Sequence, residues 1–60
     1  MLIMRQNKNE KWKSYITENS YSDCLLEIFR EAKGKITVHP YDSYTTIELH
    51  NGDICILFFD

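Results

Sequence analysis

Residues 45–59 place Asn51-Gly52 between two β-rich runs. That dipeptide is the strongest short-range hairpin signal, because a two-residue type I′ turn needs positive φ at both central positions and Asn and Gly tolerate it best. With Asn51-Gly52 as the whole loop, His50 is expected opposite Asp53, Leu49 opposite Ile54, Glu48 opposite Cys55 and Ile47 opposite Ile56. Side chains alternate along a strand, so the pairs sort onto two faces. Leu49, Ile54, Ile47, Ile56, Thr45 and Phe58 form the expected core face. His50, Asp53, Glu48, Cys55, Thr46, Leu57, Tyr44 and Phe59 form a second face that is polar near the turn and apolar toward the chain end.

The chain of 60 residues makes one domain, residues 1–60. A domain this short buries a small share of its surface, and natural examples compensate with disulfides, a metal or a second subunit. Cys24 and Cys55 are the two cysteines. The apolar start Met1-Leu2-Ile3-Met4 is ended by Arg5, far short of a signal-peptide core or membrane span. The expectation is a cytoplasmic protein with reduced thiols and no membrane association, which makes oligomerisation the favoured compensation.

A net charge of -2 argues neither for bulk nucleic-acid binding nor for a strongly acidic mimic, but its distribution is uneven. Arg5, Lys8, Lys11 and Lys13 stand near the start, whereas Asp42, Glu48, Asp53 and Asp60 follow the last lysine. One Ala and one Pro against plentiful Ile, Lys, Asn and Tyr is the bias of an AT-rich coding genome, pointing to a low-GC bacterium or one of its phages.

Residues 1–19 fit two readings. Trp12, Tyr15 and Ile16 suit a helical stripe, but residues 11–17 also read as a strand that Met1 to Arg5 could join across the polar loop 6–10. The strand reading is preferred. Ser20 or Ser22 can cap a helix and Asp23 suits its first turn. From there to about Lys33, Cys24, Ile28, Tyr21, Ala32, Leu25 and Phe29 share one apolar arc, with Leu26 outside it and Gly34 placed as the left-handed closing residue. Residues 35–39 alternate as a strand ended by Pro40, and the turn-like residues 40–43 lead into the hairpin. The expected fold is α+β, order β-(β)-α-β-β-β, with one amphipathic helix on an antiparallel sheet that ends in a three-stranded meander.

Chemistry-bearing residues are sparse. His39, His50, Asp53, Cys24 and Cys55 include good metal ligands, yet no pair has the short spacing of a recognisable zinc site, and a weak His50–Asp53 cross-strand pair is the plainer reading. Cys24 belongs to the apolar arc, and Cys55 would sit opposite a carboxylate that discourages thiolate formation. No nucleophile elbow or phosphate-binding glycine loop occurs, so no catalytic, metal or cofactor role is assigned.

Two surfaces remain. Tyr44, Leu57 and Phe59 are expected to form an apolar association face for a homodimer, with the final strand as a possible open edge. Leu26, flanked by Glu27, Arg30 and Glu31, would face a foreign protein. The functional expectation is a non-enzymatic protein-binding module, a small accessory or inhibitory protein that occupies a partner's surface. The alternative is single-stranded nucleic-acid binding through Lys8, Lys11, Trp12, Lys13 and Tyr15, which interleave positive charge with stacking surfaces.

Overall fold

The computed structural model describes residues 1–59, so Asp60 of the acidic end lies outside the described residues. The strands are β1 (Leu2–Gln6), β2 (Lys13–Ile16), β3 (Ile36–Pro40), β4 (Tyr44–Leu49) and β5 (Ile54–Phe58), with one helix, α1 (Tyr21–Glu31), between β2 and β3. They form a single antiparallel sheet in the order β2-β1-β5-β4-β3. The expected α+β order is present with the optional second strand included, and residues 1–19 supply a hairpin rather than a helix. The N-terminal hairpin joins the C-terminal meander through β1 and β5. This overturns one expectation: β5 is the central strand, and the free edges belong to β2 and β3.

The helix packs on one face of the sheet. Cys24 and Ile28 on α1 are buried against Ile3, Ile47, Leu49, Cys55 and Leu57 of the three inner strands, with Tyr21, Leu25, Ala32 and Ile36 partly buried around them. Ser20 caps the helix, its Oγ accepting from the Asp23 amide at 3.2 Å. At the other end the Gly34 amide donates to the Phe29 carbonyl and the Lys33 amide to the Arg30 carbonyl. That pair of bonds is the Schellman closure, and Lys33, at φ 52°, is its first left-handed residue. Gly34, expected in that role, follows it at φ 79°.

The hairpin register differs from expectation by one residue. Leu49 rather than His50 closes the ladder: its amide donates to the Asp53 carbonyl at 2.9 Å, and the Gly52 amide donates to Leu49 at 3.0 Å. The loop therefore has three residues, His50-Asn51-Gly52. Only Gly52 adopts a positive φ, 101°, as in a type I turn completed by a glycine bulge. Asn51 instead uses its side-chain oxygen to accept from the Asp53 amide. Because strand periodicity is two, this slip moves every β5 side chain to the opposite face. Cys55, Leu57 and Asp53 turn toward the helix, while Ile54, Ile56 and Phe58 turn away from it.

Candidate interaction surface

One helix covers one face of a five-stranded sheet, and nothing in the described chain packs across the other. Register places the residues of that open face in rows. The row nearest the chain end runs Ile16–Leu2–Phe58–Tyr44, from β2 through β1 and β5 to β4. Tyr41 extends it, since its amide donates to the Tyr44 carbonyl and the two rings stack at 4.8 Å. Tyr44 also lies 5.8 Å from the Phe58 ring. The middle row is Ser14–Met4–Ile56–Thr46–His39, and the row nearest the β4–β5 turn is Gln6–Ile54–Glu48–Thr37.

The face is thus apolar at one end and polar at the other. Its rows carry the carboxylate of Glu48 and the imidazole of His39, whose Oε1 and Nε2 lie 3.2 Å apart. Ile16 is 81% exposed and Leu2 40%, so the apolar row reaches solvent at the β2 edge. Scattered apolar residues are normal on a surface, but a contiguous row rimmed by polar groups marks a binding surface.

The expected association residues do not share this face. Tyr44 does, but Leu57 is fully buried in the core, and Phe59 packs edge-on against Tyr21 of the helix with ring centroids 5.3 Å apart. The register slip is the cause. Leu2, Met4, Ile16, Ile54, Ile56 and Phe58 take their place, residues that sequence reasoning did not assign to an interface. The signal available for them was the glycine of a three-residue loop, which specifies the other register.

The helix exterior is a separate surface. Leu26, 45% exposed, lines a shallow apolar depression with Ser22, Leu25 and Phe29. Glu27 and Arg30 are exposed near it, but Glu31 turns to the sheet, where the Arg5 guanidinium holds it through both terminal nitrogens. The second terminal nitrogen of Arg5 also donates to Asp53 Oδ2 at 3.1 Å. Asp53, buried at the start of β5, accepts in addition from the Lys8 amide at 2.9 Å. Lys8 is therefore engaged through its backbone in this tie, and Asp53 pairs with Arg5 rather than with His50. The Lys8 amide above all, and Arg5 after it, hold the Asp53 carboxyl below the usual range despite burial, while Glu31 chiefly raises the Arg5 pKa.

Lys11 and Trp12, just before β2, and Lys13 and Tyr15, on it, are all exposed, Trp12 at 42%. Lys13 and Tyr15 share the helix-side face of the strand. Both thiols are buried in the core: burial pushes Cys55 up to about 11 and raises Cys24 as well. Cys55 stands opposite Ile47 and Arg5, not Glu48. Among the described residues no three His, Cys, Asp or Glu side chains gather as metal ligands, and no helix is long and apolar enough to cross a membrane.

No protein-family model, curated protein or solved structure matches the chain.

Proposed function

We propose that the chain is a non-enzymatic protein-binding module, working as a small accessory or inhibitory protein of a low-GC bacterium or phage. The observation that carries this reading is the open apolar row Ile16–Leu2–Phe58–Tyr44. Its occupant is a polypeptide. A nucleic acid would meet rows that carry the Glu48 carboxylate and neither Lys nor Arg, and membrane-lying surfaces carry Lys and Arg around the apolar area. The depression around Leu26, with Glu27 and Arg30 beside it, offers a second contact area on the opposite side of the molecule.

The test is retention of protein from nuclease-treated lysate of the host by the tagged chain and by its Phe58→Asp variant, with circular dichroism confirming that the variant is folded. Loss of a stoichiometric partner in the variant supports the reading. Equal retention of a partner by both chains refutes the open face as its site, and no retained partner with either chain refutes the reading as a whole.

The exposure of Trp12 beside Lys11, Lys13 and Tyr15 favours one alternative, single-stranded nucleic-acid binding along the β2 edge. Trp12 is the single tryptophan, so oligonucleotide stacking would quench the whole indole emission, with affinity falling steeply as salt rises. Unchanged emission removes this alternative.

A further inference from the structure

We propose that the occupant of the open sheet face is a second copy of the same chain, stacked face to face about a two-fold axis that runs along β5. This rests on the reading of that face as a protein-binding surface, and it specifies the partner and the geometry. The rows themselves select the axis. A two-fold along the strands keeps each row at its own level, so the apolar row meets the apolar row and the polar row the polar row. A two-fold lying across the strands at the middle of the face would instead lay Ile16, Leu2, Phe58 and Tyr44 over the partner's row of Gln6, Ile54, Glu48 and Thr37. Shifting that axis to bring the apolar rows together would leave only one row overlapping.

With β5 on the axis, β1 lies over the partner's β4 and β2 over its β3, because β5 is the middle strand of five. Phe58, Ile56 and Ile54 then meet their own copies. Leu2 meets Tyr44, Ile16 meets Tyr41 and Met4 meets Thr46. In the polar row Gln6 meets Glu48, an amide donor over a carboxylate, and in the middle row Ser14 meets His39. The Glu48 carboxylates of the two copies do not meet, because Glu48 lies on β4, away from the axis, and contacts His39 within its own copy. The surface is self-complementary in this orientation.

Its size is adequate. Five strands, each ~4.8 Å wide, cover about 24 Å across, and three rows of ~6.8 Å each cover about 20 Å along. That footprint is roughly 500 Å² on each copy, so about 1,000 Å² in all, where specific interfaces begin. Sheets stacked in this way accommodate their twist at about −30°. Such a dimer also covers the apolar surface that a single helix leaves exposed.

The decisive experiment combines native mass with a zero-length cross-link. Sedimentation equilibrium should give twice the 7.2 kDa chain mass at tens of micromolar. Ile56→Asp should weaken association at least 100-fold while keeping a folded spectrum, since each substitution meets its own copy across the axis. In the Gln6→Lys variant, carbodiimide coupling of a mixture of ¹⁵N-labelled and unlabelled chains should yield a mixed-isotope peptide joining position 6 to Glu48. This second variant keeps the test decisive if Ile56→Asp unfolds.

A dimer that persists in folded Ile56→Asp, or whose mixed-isotope links avoid the position 6–Glu48 pair, overturns the proposed geometry. A monomer at every concentration overturns self-association. If Phe58→Asp still abolishes capture of a foreign protein in that case, the binding-module reading stands without the dimer. If capture is also unaffected, the open face falls as a binding site together with the dimer.

Discussion

The two faces of β5 are built from similar material and live in different surroundings. Cys55 and Leu57 point to the helix and are sealed, whereas Ile54, Ile56 and Phe58 point away and are partly buried among their strand neighbours. Composition does not separate them, since the outward set is if anything the more apolar. What separates them is the single helix, which can roof one face only. The comparison teaches that hydrophobicity in this strand serves two purposes, internal cohesion on one side and a free surface on the other, and each can be attacked without the other.

Leu57 is the largest lever on the covered side. It is 0% exposed and belongs to the core with Ile3, Ile47 and Ile28. Truncating such a leucine costs about 2–5 kcal/mol, against a total stability of about 3–9 kcal/mol for a domain of this length. Leu57→Ala should therefore bring the chain close to its unfolding threshold, and Leu57→Asp should abolish the native circular-dichroism signal outright. This reverses the expectation from sequence, which places Leu57 on an association face outside the core. A folded Leu57→Asp chain would mean that the other register is the native one.

Next in size is the polar tie at the edge of the covered face. Arg5 binds Glu31 at the helix end and Asp53 at the start of β5, joining three segments that share no local sequence. Arg5→Ala leaves Asp53 buried without its cation, and urea denaturation should show a loss of about 2–3 kcal/mol, below the full cost for a wholly buried pair because Arg5 is partly solvated. The same tie sets a pH dependence. The native Asp53 carboxyl is held below its ordinary value, so its contribution is complete above the unfolded pKa of about 3.9 and is lost as pH falls through the native value. The urea midpoint should fall on acidification below about pH 4. Asp53→Asn should lose part of that stability already at pH 7 and show a flatter acid profile.

The sequence signals that could be read were local ones. Ser20 before Asp23, the Cys24–Ile28 arc and the alternation of residues 35–39 lead to the correct helix and, within one residue at each end, the correct strand, because each depends on neighbours within a few positions. Register and strand order depend on distant partners. Asp53 seats itself by bonding the Lys8 amide and Arg5, more than forty residues away, and no periodicity within residues 45–59 encodes that choice. The central position of β5 likewise depends on β1, which supplies five of its paired residues from the far end of the chain. The interface assignment was lost with the register, since one residue of slip exchanged Leu57 for Ile56 and Phe58. The apolar gradient itself was legible, and it survives with different members.

The loop that holds this register offers a smaller perturbation. Gly52 adopts φ 101°, and a Cβ there would lie 3.1 Å from Lys8 Cδ, the middle of a flexible side chain. The steric contact can relax, but the left-handed backbone cannot be relieved in the same way. Gly52→Ala should cost about 1–2 kcal/mol by thermal or urea unfolding, with the sheet otherwise intact. Asn51→Gly tests the competing turn: a two-residue loop would be helped by it, whereas here it removes the side-chain oxygen that accepts from the Asp53 amide and should destabilise slightly. A gain in stability would favour the two-residue loop.

Ile56→Thr is the smallest perturbation and the sharpest counterpart to Leu57. The substitution keeps β-branching, hence strand preference, and exchanges a partly buried ethyl-bearing side chain for one with a hydroxyl that can reach solvent. In dilute solution, where each copy stands alone, the loss should stay within about 0.5–1 kcal/mol, far below that of Leu57→Ala one position along the same strand. If the open face is a contact surface, the apparent loss should grow with protein concentration, because burial by another chain adds to the stability of the folded state by mass action. Unfolding midpoints of the wild type and Ile56→Thr, followed from micromolar to millimolar concentration, separate the two roles. Parallel curves would show that the outward apolar residues serve only the sheet that carries them. Diverging curves would show that the second face of β5 is completed by contact with another polypeptide.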